Sequence, residues 1–451
     1  MGSKWEKIKL KEVVDIITTK VDVSQISLCD YISTENMLTN FGGISIANSK
    51  PSTGKITKFH SGDILFSNIR TYFKKLWLAD RTGGCSNDVI VFRPKKHINS
   101  NYILSVLMDQ KFIEYTVLTS KGTKMPRGDK TAILDYEFNL APDKYCQHIA
   151  KTNTLIFSKL KSNEVINKSL EQMSQTLFKS WFVDFDPVID NALDAGNPIP
   201  EALQTRAKLR QKVRNSADFK PLPAKIRSLF PSEFEETELG WVPKGWNISL
   251  AGEEFIVKGG STPSTANEDF WINGTIHWTS PKDLTGNQSK VLLDTAKKIT
   301  PLGLTKISSG LLPVNTVLMS SRAPIGYLAI SKVPMAINQG YIAIPSAKHL
   351  SPEYTIYWLD NIMDDIKSMA GGTTFAEISK SAFKTIKLLI PSSDIITEFS
   401  RITRNHFDMV VQNTKEIDSL TNLRDTLLPK LISGELSLED LPDLTTNTEA
   451  A

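Results

Sequence analysis

The chain has 451 residues, which is long for a single hydrophobic core, so two or three domains are expected. Its 40% hydrophobic and 23% charged residues are typical of a globular protein, and a net charge of +4 does not by itself indicate a nucleic-acid partner. Three isolated cysteines form no CxxC pair, which argues against a structural zinc site and favours a reducing compartment. The N-terminus lacks an apolar signal core and no apolar run approaches about 18 residues, so we expect a cytoplasmic chain that spans no membrane.

The chain repeats itself after about 250 residues, and the repeated segments follow the same order in both halves. The matched pairs are "DILFSNIR" (63–70) with "TVLMSSR" (316–322), "NDVIVFRP" (87–94) with "NQGYIAIP" (338–345), "GTKMPRGDKTAILDYEFNLAP" (122–142) with "GTTFAEISKSAFKTIKLLIP" (372–391), and "SLEQMSQTLFKSWF" (169–182) with "SLTNLRDTLLPKLI" (419–432). Collinear matches at a nearly constant offset indicate a tandem duplication.

Each half has the same plan. Short β-like runs such as "DILF", "VIVF", "TVLM" and "YIAI" are separated by Gly, Pro, Asn and Ser, and a helical segment of about 40 residues follows. The apolar positions of each helical segment recur mostly at steps of three, four or seven, which is the spacing of a coiled-coil seam. At 1.5 Å per residue each helix would be about 55–60 Å long, longer than one such domain is wide. We therefore predict an α+β protein with two globular mixed α/β domains, each followed by a long helix, and with the two helices packed against each other.

Between the halves, residues 186–240 fit neither repeat. From Leu203 to Phe230 there are eight basic residues and one acidic residue, Asp218, and the basic residues fall at nearly every second position. On a helix that spacing spreads charge around the surface instead of forming one stripe. Two interpretations stay open, a solvated linker and a contact with phosphates or an acidic partner.

Motifs for catalysis are lacking. The sequence contains no GxxxxGK[ST] phosphate loop, no GxSxG and no HExxH, and its six histidines are scattered. The "FDPV" at Phe185 to Val188 has no glycine-rich cofactor loop before it. We expect no catalytic residue, no metal site and no cofactor in this chain. The alternative is a nuclease or methyltransferase with a degenerate motif, for which Asp109 and Asp186 would be the acids to test; a third reading is a coiled-coil scaffold with no DNA role.

Polar and cationic residues lie in turns at matching places of the two halves. Arg, Lys, Asn and Gln are the side chains that read base edges, and Ser and Thr more often hold phosphates, so a duplicated set of them favours DNA recognition. The candidates are Arg70, Lys74, Lys75, Asn87, Lys121, Thr123, Lys124 and Arg127 in the first half, and Thr279, Ser280, Lys282, Ser321, Arg322, Asn338, Gln339, Thr373 and Thr374 in the second.

Several of these segments resemble one known family. "SSRAPIGYLAI", "AINQGYIAI", "GGTTFAEISKSAFKTIKLLIP" and "LRDTLLPKLISGEL", together with "SLEQMSQTLFKSWFVDFDPV" and "ETELGWVPKGWNISLAGE", are similar to the specificity subunit of type I restriction–modification enzymes, over nearly the whole chain. In the first domain "SNIRTYFKKL" lacks the Arg-Ala-Pro-Ile-Gly turn of Arg322 to Gly326 and "GTKMPRG" replaces "GTTFAE", which leaves the equivalence of Arg70 and Arg322 open.

The resemblance implies a non-catalytic subunit with two target recognition domains, each of which reads half of a bipartite DNA site, and an antiparallel coiled coil that spaces them. It implies as partners double-stranded DNA, two modification (methyltransferase) subunits that bind S-adenosylmethionine, and restriction subunits that use ATP and Mg²⁺. The residues expected in the coiled coil or in subunit docking are Leu170, Met173, Leu177, Phe178, Trp181, Leu420, Leu423, Leu427 and Leu431.

The implied domain boundaries follow the repeat. They are a first recognition domain at 1–142, a first spacer helix at 143–185, a central linker at 186–240, a second recognition domain at 241–391, a second spacer helix at 392–434 and a C-terminal tail at 435–451.

Overall fold

The structure is a computed structural model that describes residues 5–286, 289–371 and 376–436. Its contacts divide the chain into two compact units. The first unit comprises the described residues up to Ser162 together with those from Glu416 onward, and the second comprises those from Asn163 to Lys415. Each unit therefore contains one globular domain and a part of both long helices.

The first unit has two four-stranded sheets, ordered β2-β9-β6-β7 and β3-β5-β8-β4, and a β1-β10 pair. Its strands are β1 Glu6–Lys9, β2 Val14–Ile16, β3 Lys20–Asp22, β4 Tyr31–Ile32, β5 Lys55–Phe59, β6 Ile64–Ser67, β7 Leu76–Leu78, β8 Gly83–Cys85, β9 Val89–Pro94 and β10 Glu137–Leu140. Its helices are α1 Leu10–Val13, α2 Ser100–Met108, α3 Gln110–Leu118, α4 Lys130–Leu134 and the first part of α5 Asp143–Phe178. Val89, Ile90, Val91 and Phe92 on β9 are all buried, as expected for a central strand covered on both faces.

The second unit begins with the rest of α5, a π-helical turn at Lys179–Val183, and the helices α6 Asp186–Ala195, α7 Gln204–Arg214 and α8 Ala224–Arg227. Its strands are β11 Phe234–Thr237, β12 Gly240–Pro243, β13 Asn247–Leu250, β14 Phe255–Lys258, β15 Ile276–Thr279, β16 Val291–Leu292, β17 Lys297–Ile299, β18 Val317–Ser320, β19 Leu328–Ser331, β20 Met335–Ile337, β21 Tyr341–Ala347 and β22 Lys387–Ile390. They are joined by α9 Ala251–Glu254, α10 Pro301–Leu304, α11 Pro352–Asn361, α12 Met363–Ser368 and α13 Lys380–Lys384, and α14 Ser393–Ser433 follows. The main sheet is ordered β14-β21-β18-β19-β16, a second is ordered β17-β15-β20, and β13-β22 and β11-β12 are pairs.

The two domains have the same internal plan. In the first unit β6 lies antiparallel between β7 and β9, and in the second unit β18 lies antiparallel between β19 and β21. Strand β4 runs parallel to β8, which precedes β9 in the chain, and β15 runs parallel to β20, which precedes β21. The duplication predicted from the sequence is therefore a duplication of topology.

The long helices pair in both units. In the second unit Asn413 bonds to Asn167 and the Nδ1 of His406 lies 2.8 Å from the Oγ of Ser174, so residue numbers rise along α5 as they fall along α14. In the first unit Lys159 forms an ion pair with Glu416 at 3.2 Å, and the guanidinium of Arg424 lies over the Phe157 ring. The predicted α+β fold with an antiparallel helix pair is confirmed.

Apolar side chains at the C-terminal end of each helix enter a domain core. In the second unit Phe178 and Trp181 pack against Phe399 of α14, with ring centroids 6.0 and 6.1 Å apart. In the first unit Leu428 and Leu431 belong to the domain core. Burying one such side chain is worth about 1.5–3 kcal/mol, so these contacts fix the helix ends to the domains.

Residues 186–227 are an ordered pair of helices and not a solvated linker. Arg206, Arg210 and Arg214 recur every fourth residue along α7 and face Asp186, Asp190 and Asp194, which recur every fourth residue along α6. Asp186 and Asp190 are buried. The expectation that this charge forms no stripe is wrong for the arginines, because carboxylates of the same chain bind all three on one helix face.

Within the residues that the structure describes, no helix is both long enough and apolar enough to cross a bilayer.

Candidate DNA-recognition site

Three turns converge at one edge of the first domain. The backbone of Arg127 pairs with Lys121 and with Ile69, and the N–H of Asn68 donates to the carbonyl of Asp88 at 2.8 Å. These contacts bring residues 68–75, which follow β6, next to residues 86–88, which precede β9, and next to residues 121–128. We call this group the first turn cluster.

The same convergence occurs in the second domain. Glu377 pairs with Gly371 and with Arg322, and the N–H of Ser321 donates to the carbonyl of Gly340 at 2.8 Å. Residues 321–327, 338–340, 371 and 376–378 form the second turn cluster. Twelve of the seventeen residues predicted to bind DNA fall in these two clusters. Thr373 and Thr374 lie outside the described residues, and Thr279, Ser280 and Lys282 lie on and after β15.

The structural register differs from the sequence match in one turn. Ile69 bridges Arg127 as Arg322 bridges Glu377, so Ile69 and not Arg70 occupies the position of Arg322. Arg70 occupies the position of Ala323, and both residues are left-handed, with φ of 49° and 52°. The equivalence of Arg70 and Arg322 that the sequence left open is therefore excluded.

A second register shift concerns the amide side chains. Ser67 pairs with Val89, and the equivalent Ser320 pairs with Tyr341. Asn87 of the first domain is therefore equivalent to Gln339 of the second domain and not to Asn338. Both amides accept one hydrogen bond: Asn87 from Lys20 Nζ at 3.1 Å and Gln339 from the hydroxyl of Thr262 at 2.8 Å.

Cations dominate the first turn cluster. Arg70, Thr123 and Lys124 are exposed. Lys121 is exposed and forms an ion pair with Asp129, which caps α4. The pKa of Asp129 is lowered mainly by the hydrogen bond from Lys121 and then by hydrogen bonds from the backbone of α4.

Two lysines of this cluster are partly buried and serve the turn itself. Lys74 is half-buried, with its Nζ 5.9 Å from the centroid of the Phe41 ring. Lys75 donates to the carbonyl of Thr34 at 2.6 Å, and burial lowers its pKa. Tyr72 and Phe73 lie in the same turn, between Arg70 and Lys74. Among the residues that the structure describes, they are the only exposed aromatic side chains. The sequence analysis missed this pair because aromatic residues in "RTYFKKL" have no periodicity that separates core from surface.

Two predicted contacts in the second domain are wrong. Thr279 is fully buried and its hydroxyl lies 3.2 Å from that of Tyr341, so its side chain cannot reach DNA. Ser321 is also buried and donates to Glu377 at 3.4 Å. The hydroxyl of Ser321 holds the second turn cluster together from inside, and that of Thr279 links β15 to β21.

The other predicted residues of the second domain that the structure describes are at least partly accessible. Asn338 accepts from the N–H of Gly340 at 2.9 Å, which shapes the turn before β21. The backbone of Ser280 donates to Asp283 at 2.8 Å, and Lys282 is exposed beside it. A cavity of about 600 Å³ opens at the second cluster, with Gly260, Gln339, Glu377 and Lys380 in its wall. Gly260 and Lys380 were not predicted, because only the fold brings the turn after β14 and the start of α13 to this place.

Comparison with known proteins identifies this arrangement. The family model described as the type I restriction modification DNA specificity domain matches residues 2–172 and 243–420, once in each half. The chain belongs to the family of type I restriction–modification specificity subunits. Together the matches cover well over half of its length, and each includes one turn cluster.

Relatives of this specificity family span the chain. The HindI specificity subunit of Haemophilus influenzae is 26% identical over 96% of this chain and 100% of its own length. The MjaIX specificity subunit of Methanocaldococcus jannaschii is 32% identical over 42% of this chain and 44% of its own length. A crystal structure of a type I restriction–modification S subunit from M. genitalium superposes with a TM-score of 0.54 at 16% identity, covering 98% of this chain and 97% of that one, which supports the fold.

The nine helix residues predicted for coiled coil or docking divide into three groups in this specificity subunit. Four are buried in the domain cores, so their side chains are not available to dock another subunit: Leu170, Phe178, Trp181 and Leu431. Leu177, Leu420 and Leu427 are half-buried. Met173 and Leu423, which occupy matching positions of the repeat, are 56% and 46% exposed.

Proposed function

We propose that this specificity subunit directs a type I restriction–modification complex to a bipartite DNA sequence, with one half-site read by each turn cluster. The observation that carries the proposal is that the same three turns converge in both domains and present arginine, lysine and amide side chains there. Such side chains read base edges in the major groove, and two separate reading surfaces require two separate half-sites.

The helix pair fixes the distance between the half-sites in this proposal. Helices α5 and α14 have 36 and 41 residues. At 1.5 Å per residue they are about 54 and 62 Å long, and B-DNA rises by about 3.4 Å per base pair on each strand. A rigid spacer of this kind makes the number of unread base pairs a property of the protein.

Two modification subunits dock on the helices, and they supply S-adenosylmethionine and methylate adenine. Restriction subunits with ATP and Mg²⁺ complete the complex, and this chain contributes no catalytic group. Met173 and Leu423 support the docking assignment because they are large apolar side chains left exposed at matching positions. The two acids of the alternative enzyme hypothesis are engaged elsewhere: Asp109 caps α3, and Arg206 binds Asp186 at 2.6 Å.

Co-expression with the cognate modification subunits tests the proposal. Single-molecule sequencing of host DNA should detect methylated adenine at one bipartite motif, and a strain without this chain should lack it. Methylation that ignores sequence would contradict the proposal. DNA cleavage or methyl transfer by the purified chain alone would favour the enzyme alternative, and the lack of salt-dependent duplex binding by the assembled complex would favour a scaffold.

A further inference from the structure

Each turn cluster holds one arginine beside one carboxylate. In the second cluster the Nη1 of Arg322 lies 3.5 Å from the Oε2 of Glu377. In the first cluster the Nη2 of Arg127 lies 2.9 Å from the Oδ1 of Asp88. Both pairs sit at the equivalent β-bridge, where Ile69 faces Arg127 and Arg322 faces Glu377.

The arginine and the carboxylate come from different positions in the two domains. Arg127 stands where Glu377 stands in the second domain, in the segment that bridges the turn after β6 or β18. Its carboxylate comes from Asp88, which occupies the position of Gly340. The duplicated bridge thus carries a guanidinium in both domains, although no single sequence position supplies it in both.

These ion pairs are placed for orientation and contribute little to folding. The side chains of Arg127 and Arg322 are 59% and 38% exposed, and exposed ion pairs add little to stability. A guanidinium has five N–H donors in a fixed plane, so one carboxylate contact restrains the side chain and leaves a second edge free to donate. Two parallel donors on that edge match the N7 and O6 acceptors of guanine.

We infer, on the basis of the proposed function, that Asp88 and Glu377 are positioning residues that orient Arg127 and Arg322 toward a guanine, one in each half-site. Arg70 is not part of this scheme, because its structural counterpart is Ala323, whose methyl group carries no hydrogen-bond donor. Arg127 is the base-reading arginine of the first domain, because it forms the ion pair at the bridge that corresponds to Arg322–Glu377.

The test uses the full complex with modification subunits and compares Asp88→Asn with Glu377→Gln. Each substitution removes the negative charge and keeps the size of the side chain. Asp88→Asn should relax one G·C position of the first half-site, with discrimination at that position reduced roughly fivefold or more, the lower end of what a bidentate arginine–guanine contact supplies. Glu377→Gln should relax one position of the second half-site, so each variant is the control for the other.

Arg127→Lys and Arg322→Lys provide a second measurement, because lysine keeps the charge and loses the planar fork. They should relax the same two positions as the carboxylate variants, with the thermal unfolding midpoint unchanged. If the wild-type complex reads a bipartite motif and the Asp88→Asn and Glu377→Gln complexes read it with equal discrimination, the inference is wrong and the proposed function stands. A loss spread evenly over all positions together with a lower unfolding midpoint would assign these carboxylates a structural role and overturn the inference. A wild-type complex without any bipartite motif would overturn the proposed function and this inference with it.

Discussion

Asn413 donates an amide hydrogen to Asn167 across the helix pair, with Nδ2 and Oδ1 2.9 Å apart. Both side chains are half-buried. A polar pair inside a helix seam specifies register at some expense of stability, because any sliding of the helices separates the two amides. In the proposed spacer role of the helices, their register determines the distance between the half-sites.

Replacing Asn413 alone with Leu should lower the free energy of unfolding by about 1 kcal/mol, because the amide of Asn167 loses its partner. Replacing both residues with Leu should be neutral or stabilising, since no polar group is left unpaired. Chemical denaturation of the two variants measures this. The double variant should also methylate sites with more than one gap length; a single unchanged gap would show that the asparagine pair does not set the register.

The Asp–Arg stripe of α6 and α7 should respond strongly to the loss of one carboxylate. Asp190→Ala leaves the guanidinium of Arg210, whose side chain is only 15% exposed, without its closest partner, and should lower the free energy of unfolding by about 3–5 kcal/mol. Asp190→Leu combined with Arg210→Met should recover most of that loss, because an apolar pair replaces the ions. Glu233→Ala, which breaks the exposed pair with Lys244, is the control and should leave the unfolding midpoint unchanged.

His406 should make the helix pair sensitive to acid. Burial lowers its pKa from the ordinary value of 6.5, and Glu171, Lys290 and Tyr357 line the same small cavity. Because the unfolded chain takes up the proton at a higher pH than the folded chain, this contribution to stability is complete above about pH 6.5 and is lost as pH falls through the folded pKa. Lowering the pH from 7.5 to 5 should therefore reduce the free energy of unfolding more in the wild type than in His406→Gln, which keeps a polar group beside Ser174. Urea unfolding at each pH measures this. Equal losses in both proteins would contradict this assignment.

Two glycines in the wall of the cavity at the second turn cluster should behave differently. A Cβ at Gly260 would lie 1.8 Å from the carbonyl oxygen of Ile337, whereas a Cβ at Gly371 would meet no atom within 4 Å. Gly260→Ala should cost at least about 1–3 kcal/mol of stability through overpacking and should impair reading of the second half-site, and Gly371→Ala should do neither. Thermal unfolding and methylation at the target site measure the two effects, and similar behaviour of both variants would contradict the structure at this turn.

Lys124 should contribute to binding mainly through phosphate charge. It is exposed in the first turn cluster, so Lys124→Ala in the assembled complex should reduce the slope of log K against log salt by about 0.9. Lys208→Ala, which removes an exposed lysine from α7, is the matched control and should leave the slope unchanged. Equal slopes for wild type and Lys124→Ala would exclude a phosphate contact.

The sequence was sufficient for the duplicated α+β plan and the paired helices, because both depend on patterns that persist over tens of residues. It was not sufficient for the register of short turns. The matched segments 63–70 and 316–322 differ by one residue in length, and matching their terminal arginines concealed that the backbone aligns Ile69 with Arg322. The extra residue of the first domain lies between Arg70 and Lys75. Burial of Thr279 and Ser321 was also hidden, because a hydroxyl at the end of a strand has the same sequence signature on either face.

The Asp–Arg stripe could have been found from the sequence. Asp186, Asp190 and Asp194 recur every fourth residue, as do Arg206, Arg210 and Arg214, and that spacing places each set on one helix face. Counting all basic residues together concealed it, since Lys208 and Lys212 fall between the arginines and point elsewhere.

The different origins of the arginine and the carboxylate at the two bridges have a consequence for how target specificity can diversify. A backbone that accepts a guanidinium from either side of one β-bridge offers two starting points from which to approach a base pair. Substitutions at positions such as 69, 88 and 127, or 322, 340 and 377, can then change which base is addressed while the strands, the helix pair and the surfaces that face other subunits stay the same. New recognition could thus arise in one domain without any adjustment in the other.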